Sequence, residues 1–329
     1  MDNGGMSTMK IAVAGYGNLG KAAVRAVLES KGDELVGVFS RRSAETLDVP
    51  ENVRVFPFEL IQLFDENIDV VLNCMGSAHD LPETTPFIAS YFNVVDSFDT
   101  HAKIPQHFEN VNKAALMSGK TAVISTGWDP GLFSLARIYM ESVMPSCKTY
   151  TFWGRGVSQG HTDAIRSIDG VLFAREYTVP VKGARESVRR GELSEPSPEK
   201  LHRRICYVVA KENADKEKIR EEIVNMPEYF KGYETEIHFI SLDDFLLEHK
   251  SMAHAGNVIA LRKGESGTDR LEFSLSSPSN PQITAGILFA YAKACVRMNA
   301  RKESGCKTVF DVRPADLFGG GEGDEISLL

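Results

Sequence analysis

Residues 10–30, KIAVAGYGNLGKAAVRAVLES, pass from an apolar strand through a glycine turn into a helix. Gly15, Gly17 and Gly20 take the GxGxxG spacing. The first glycine permits the tight turn, the second lets a pyrophosphate approach the backbone, and the third lets helix and strand pack closely. The helix N-terminus then attracts the phosphates. The glycine spacing alone is a weak signal, and it gains weight from the strand before it and the helix after it. The helix is expected to bury a stripe at Leu19, Val24 and Leu28.

The next apolar strand, ELVGVFSRRSAE (34–45), runs into two adjacent arginines. In a doubly wound fold the end of the second strand meets the adenosine ribose, where NAD enzymes carry an acid. Here Ser40, Arg41 and Arg42 stand at that point, and Asp33 and Glu34 come before the strand. Two guanidiniums suit a 2′-phosphate, which an acid would repel. The arginines therefore predict NADP as cofactor.

The first half continues as strand alternating with helix: IDVVLNCMG, NVVDSFD and TAVISTGWDPG, with helical stretches such as HFENVNKAALMSGK between. That alternation predicts an α/β class with a Rossmann-type doubly wound parallel sheet. From about residue 150 the strands lengthen and alternate: KTYTFWG, RRICYVVAK, YETEIHFISL, NVIALRK and DRLEFSLSS. They predict a second, α+β domain with an open mixed sheet covered by helices on one face. A long apolar helix, NPQITAGILFAYAKACVRMNARK, follows.

At 329 residues the chain exceeds what one hydrophobic core usually spans. A hydrophobic content of 43% with 25% charged residues is that of an ordinary globular protein. No apolar run is long enough to span a bilayer, and MDNGGMSTMK lacks the order of a signal peptide, so a cytoplasmic location is expected. A net charge of −8 without a basic stripe argues against nucleic acid as a partner, and no membrane partner is expected. The five cysteines are odd in number and contain no CxxC. No metal set is expected, because His101, His107, His161 and Cys74 lack paired-ligand spacing.

Small or acidic residues stand where the later strands should end. CMGSAHD supplies Cys74, Met75, Gly76 and Ser77, able to pass close to a cofactor; DSFDTH supplies Asp96 and Asp99; STGWDPG supplies Trp128 and Asp129. As turn residues these acids would be unremarkable.

Taken in order, VAGYGNLG, FSRR, CMGSA, STGWDPG, TFWGRGVSQGHTDA, MPEYFKGYE and SMAHAGNV resemble the meso-diaminopimelate dehydrogenases, from about residue 10 to 318. That resemblance implies NADP-dependent oxidative deamination of the D-centre of meso-2,6-diaminopimelate. The products are L-2-amino-6-oxopimelate, which cyclises to tetrahydrodipicolinate, and ammonia. The reverse reductive amination serves lysine and peptidoglycan synthesis. It also implies a homodimer. The dinucleotide-binding domain would be discontinuous, 10–128 with about 280–318, around a substrate-binding and dimerisation domain at about 129–279. Residues 1–9 and 319–329 would be disordered tails.

Carried over by position, the cofactor contacts fall on Gly15, Tyr16, Gly17, Asn18 and Leu19, on Ser40, Arg41 and Arg42, on Cys74 to Ser77, and on Ser97, Phe98 and Asp99. The substrate contacts fall on Asp99, Asp129, Trp153, Gln159, Gly160, Thr178, Arg204, His254 and Asn280. Two strings depart from the family: Gly-Arg-Gly follows Trp153 where proline is expected in the middle, and DSFDTH replaces DTYDNH. Neither removes a charged contact, although Arg155 beside the pocket could alter substrate range.

Diaminopimelate is a rod with a carboxylate and an ammonium at each end, so both ends need polar anchors. Arg204, His254, Thr178 and Asn280 suit one carboxylate, with Arg204 as a fork. Asp99 and Asp129 suit the reacting ammonium, and a carboxylate pair suits the catalytic base because neighbouring like charges raise one pKa. The base is Asp99, Asp129 or a bound water. Another two-domain Rossmann reductase would be expected to carry a lysine at these strand ends, and none is present. A silent NADP sensor would have no use for Asp129, Arg204, His254 and Asn280 together.

Overall fold

The computed structural model describes residues 8–154, 156–157, 159–192, 197–227, 229–249, 251–318 and 324–329. The chain divides into two compact units: residues through Leu135 with those from Pro281 onward, and Ala136–Asn280. The first crossing falls inside the helix Leu132–Val143 and the second at the head of the helix Asn280–Ala300.

In the first unit, β1 (Lys10–Ala14), β2 (Glu34–Ser40), β3 (Val55–Pro57), β4 (Val70–Asn73), β5 (Asn93–Asp96) and β6 (Thr121–Val123) run parallel. Their order is β6-β5-β4-β1-β2-β3, which reverses direction between β1 and β4. That reversal is the switch point at which loops diverge and a crevice opens at the strand C-termini. β4 is buried along its whole length, as a parallel strand with both faces covered must be.

The helix Asn18–Glu29 buries Gly20, Ala23, Val24 and Val27, while Leu28 is 42% exposed. The expected stripe through Leu19 and Leu28 is thus rotated toward smaller residues. The reason is the close approach of this helix to β1: a Cβ on Gly20 would lie 2.1 Å from the Gly15 carbonyl oxygen. Only a helix face of small side chains can be buried at that separation.

The second unit contains β7 (Lys148–Trp153), β8 (Gly156–Val157), β9 (Val171–Pro180), β10 (His202–Ala210), β11 (Thr235–Phe239), β12 (His254–Gly264) and β13 (Gly267–Ser277). They form two sheets. One is mixed, in the order β11-β10-β9-β8 with β10 and β11 parallel; the other, β13-β12-β7, is antiparallel. β9 escapes the sequence pattern because Arg175-Glu176 interrupts its apolar alternation, yet Glu176 is fully buried. Behind the mixed sheet, Cys206 and Val208 pack with Ile219, Ile223 and Phe230. Tyr150, Phe152, Ile259 and Leu261 of the other sheet pack with Val188 and Leu201.

The chain then returns through the helix Asn280–Ala300 to β14 (Gly305–Lys307), which pairs parallel with β6 and completes a seven-stranded sheet. Residues 1–7 and 319–323 of the expected tails lie outside the described residues. Met9 is buried, and Asp324–Leu328 form a 3-10 turn. Among the described residues no helix is long and apolar enough to cross a membrane.

Candidate active site

At the end of β1, Gly15 has φ +88° and its N–H donates to the Phe39 carbonyl at 2.8 Å, tying the glycine turn to β2. Gly17 caps the following helix without a side-chain hydrogen bond, and a Cβ built on it meets nothing within 4 Å. Backbone donors at a helix start beside open space form the cradle that a pyrophosphate requires. Asn18 is exposed and Leu19 half-buried. Tyr16 is buried with its hydroxyl on the Asp48 carbonyl, so only its backbone is available to a ligand.

Ser40 ends β2, and its hydroxyl accepts the Arg42 N–H at 3.0 Å. The Arg42 guanidinium donates to the Tyr16 carbonyl at 2.6 Å, which brings it against the glycine turn. Arg41 pairs instead with Asp80 at 2.6 Å, while the other Asp80 oxygen accepts the Gly76 N–H at 3.0 Å. A phosphate gripped by both arginines therefore competes with Asp80 for Arg41. The sequence reading of the arginines did not foresee this counter-charge.

Cys74 is buried, and burial pushes its thiol up to about 12, so it is inert at neutral pH. Met75 and Ser77 are half-buried and Gly76 is exposed on the same turn. The Ser77 hydroxyl donates to Asp99 at 2.5 Å and accepts the Asp99 N–H at 3.0 Å, which fixes that carboxylate at the end of β5. Ser97 is half-buried, whereas the Phe98 side chain is buried and stacked on His107 with centroids 4.2 Å apart.

Asp96, in the same string, plays an internal part. It is fully buried and accepts from Thr85, from the Phe98 N–H and from the Ser125 N–H, with His107 Nε2 at 2.7 Å. One carboxylate thereby fixes both the loop that carries Asp99 and the one that leads to Asp129. Asp129 stands in a turn closed by the Gly127 N–H on the Pro130 carbonyl, and the Asp129–Pro130 bond is cis. The Ser134 hydroxyl approaches its carboxylate at 3.5 Å. Trp128 beside it is buried.

In the second unit Gly156, Thr178, Arg204 and Thr235 form one row across β8, β9, β10 and β11. Arg204 donates to the Thr178 hydroxyl, and its guanidinium lies 4.1 Å from the centre of the Tyr233 ring. Both residues are buried, so the strand pair holds a desolvated, oriented cation. A Cβ on Gly156 would fall 2.0 Å from His254 Nδ1, so this glycine makes room for the imidazole at the start of β12. Trp153 lies beside that imidazole with ring centres 5.4 Å apart, and the Trp153 backbone N–H donates to His202 Nε2 at 2.9 Å.

Burial holds His161, His202 and His254 down to about 4, with Arg204 adding to the effect on the first two. All three imidazoles are neutral at physiological pH. Gly160 is exposed in the first turn of the helix Gln159–Arg166, and the Gln159 side chain and Arg155 lie outside the described residues. Asn280 opens its helix with its N–H on the Met252 carbonyl at 2.8 Å.

Three residues that touch these groups drew no role from sequence: Asp80, Tyr233 and Glu176. Tyr233 lies inside the string MPEYFKGYE, and Asp80 ends CMGSAHD. For Glu176 the available signal was the alternation of Ala174, Glu176 and Thr178, which puts a carboxylate on the buried face of a strand.

The oxidoreductase family with an NAD-binding Rossmann fold matches residues 9–114, which contain the glycine turn, both arginines and Asp99. The diaminopimelic acid dehydrogenase C-terminal domain family matches residues 127–279, from Asp129 through His254. The meso-diaminopimelate D-dehydrogenase of Lysinibacillus sphaericus is 50% identical over 310 residues, covering 93% of this chain and 94% of that protein. This chain belongs to the meso-diaminopimelate D-dehydrogenase family. The Corynebacterium glutamicum member is 41% identical over 94% of this chain and 95% of its own. The structure of C. glutamicum DAP dehydrogenase in complex with DAP superposes with a TM-score of 0.93 at 40% identity, covering 98% of this chain and 99% of that one. An engineered D-amino acid dehydrogenase bound to NADP+ superposes with a TM-score of 0.89 at 38% identity, covering 98% and 99%. The family is one of oxidoreductases acting on CH–NH2 donors.

Proposed function

We propose that this chain catalyses the reversible NADP-dependent oxidative deamination of the D-centre of meso-2,6-diaminopimelate, giving L-2-amino-6-oxopimelate and ammonia. The observation that carries this reading is the buried cation Arg204, held by Thr178 and Tyr233, in a chain of this family. It is the kind of anchor that a substrate carboxylate needs. A relative bound to DAP and another bound to NADP+ support both ligands.

The first unit, through Leu135 and from Pro281, serves as the dinucleotide-binding domain. NADP, when bound, accepts the hydride. Gly15 to Leu19 hold its pyrophosphate, Arg41 and Arg42 select its 2′-phosphate, and Cys74 to Ser77 with Ser97 to Asp99 line its path. Asp99 and Asp129 hold the reacting ammonium, whose proton must leave before the α-carbon gives up hydride. One of these carboxylates, directly or through a water, accepts that proton. In the second unit Arg204, Thr178, His254 and Asn280 hold the distal carboxylate, and Trp153, Gln159 and Gly160 shape its surroundings. The enzyme works as a homodimer in the cytoplasm, in keeping with five free cysteines, four of them buried.

NADPH formation from meso-, LL- and DD-diaminopimelate and from simple D-amino acids, with NADP or NAD, tests this. Activity confined to the meso isomer with NADP is expected. Turnover of simple D-amino acids would mean a loose distal anchor. No turnover by protein shown to bind NADPH would replace the enzyme with a silent sensor.

A further inference from the structure

Glu176 is fully buried on the face of β9 that carries Thr178 two residues on. The Thr178 hydroxyl donates to Glu176 Oε1 at 3.0 Å and approaches Oε2 at 3.4 Å, while Arg204 Nη1 donates to Thr178 and lies 4.0 Å from Glu176 Oε1. A hydroxyl has one proton to give. Thr178 gives it to Glu176, so it has none left for a substrate carboxylate. Arg204 Nε, meanwhile, is buried with no hydrogen-bond partner among the described residues.

We propose that Glu176 is a positioning residue that aims Arg204 through Thr178 and takes up a proton when a substrate carboxylate binds. The proposal rests on the role of Arg204 given above. An incoming carboxylate would place two anions against one guanidinium, and the buried one is the costlier to keep charged. Once protonated from solvent, Glu176 donates to the Thr178 oxygen, and the threonine proton turns to the substrate. One proton enters from water, one hydrogen bond reverses, and no covalent bond other than O–H changes.

The groups facing Glu176 are consistent with this role. Thr178 and Arg204 oppose it from β9 and β10, and Cys206 from β10, its thiol pushed up and therefore neutral. The Thr162 hydroxyl from the helix Gln159–Arg166 accepts the Glu176 N–H. His161 and His202 near Arg204 are held down to about 4. Burial raises the Glu176 carboxyl to about 7 against the opposing pull of Arg204 and Thr178, so it is the group here that changes charge near neutrality.

The test is calorimetric binding of meso-diaminopimelate to the NADPH-loaded protein, where no turnover occurs, in buffers of different ionisation heat. Proton uptake is expected near neutrality, with binding weakening about tenfold from about pH 6 to about pH 8; any titration of the substrate itself is common to the wild type and Glu176→Gln and cancels in their comparison. Glu176→Gln keeps an acceptor for Thr178 without the charge, so its uptake should vanish and its pH profile flatten toward the tight limit. Uptake unchanged in Glu176→Gln, or no uptake in the wild type, overturns the proposal; the second needs no variant to fold. Absence of both binding and turnover in the wild type removes the parent reading, and this one with it.

Discussion

In the first unit the groups proposed for a phosphate come from six consecutive residues, Gly15 to Gly20, whereas in the second unit Gly156, Thr178 and Arg204 come from three strands joined by register. The first set is mostly backbone: a left-handed Gly15 and a helix start capped by Gly17, which brings no side chain and faces open space. The second set is side chains, buried and charged, with Glu176 set against Arg204 and three imidazoles kept neutral around them. Backbone donors near the surface need little support. A buried guanidinium needs a counter-charge, a hydroxyl and a ring before it can be held without a large desolvation cost.

Substitutions can break this contrast, and the largest effect is expected at the reacting centre. Asp129→Asn should lower kcat/KM for meso-diaminopimelate by roughly a hundredfold or more, as loss of acid-base help does. A drop of only a fewfold would leave Asp129 as a turn residue. Next comes Arg204→Met, which should raise the KM for diaminopimelate by about 30-fold or more, the size of a lost buried charge contact. The KM for NADP should hardly move, so parallel changes in both would erase the division of labour.

Arg41→Ala with Arg42→Ala should have the reverse signature: a KM for NADP raised by about tenfold, with NAD much less affected. Equal losses for both dinucleotides would remove the selector. Below these comes Gly156→Ala, whose new Cβ must displace His254. A loss of about 1–3 kcal/mol of stability is expected from that overpacking, measured by denaturant unfolding. Unchanged stability would mean that the imidazole has room to move.

The smallest and most graded effect is that of pH. His161, His202 and His254 fall from 6.5 to about 4 in the folded chain. Between those values the unfolded chain binds more protons, so the second unit should lose stability as pH drops from 6.5 toward 4. Glu176 acts with the opposite sign. Its folded value rises from 4.5 to about 7, so it costs stability progressively as pH increases through that window. Hydrogen exchange resolved along the chain would show the second unit opening first on acidification; equal opening of both units would contradict the histidine assignment.

Legibility in the sequence follows the same division. GYGNLG and FSRR could be placed directly because each is contiguous: the turn opens a helix after β1, and the arginines follow the end of β2. Even there, the helix stripe was misplaced, since the burial of Gly20 and Ala23 rather than Leu28 depends on how closely the helix meets β1. Arg204, Thr178 and His254 could be named only through the family strings, because nothing local distinguishes them from other polar strand residues. Asp96 shows the same limit. It shares a string with Asp99, yet β5 buries it beneath the loops while Asp99 stays exposed.

By itself, then, the sequence determined the α/β class, the nucleotide turn, the arginines beside it and the family. Tertiary structure decided what each charge is set against. Asp80 meets Arg41 because two loops converge at the strand ends. Thr178 meets Arg204, 26 residues away, because the antiparallel register of β9 and β10 puts them side by side, with Glu176 on the same face. Such pairings are properties of register and burial, and a one-residue slip between two strands would have turned the same side chains to the other face.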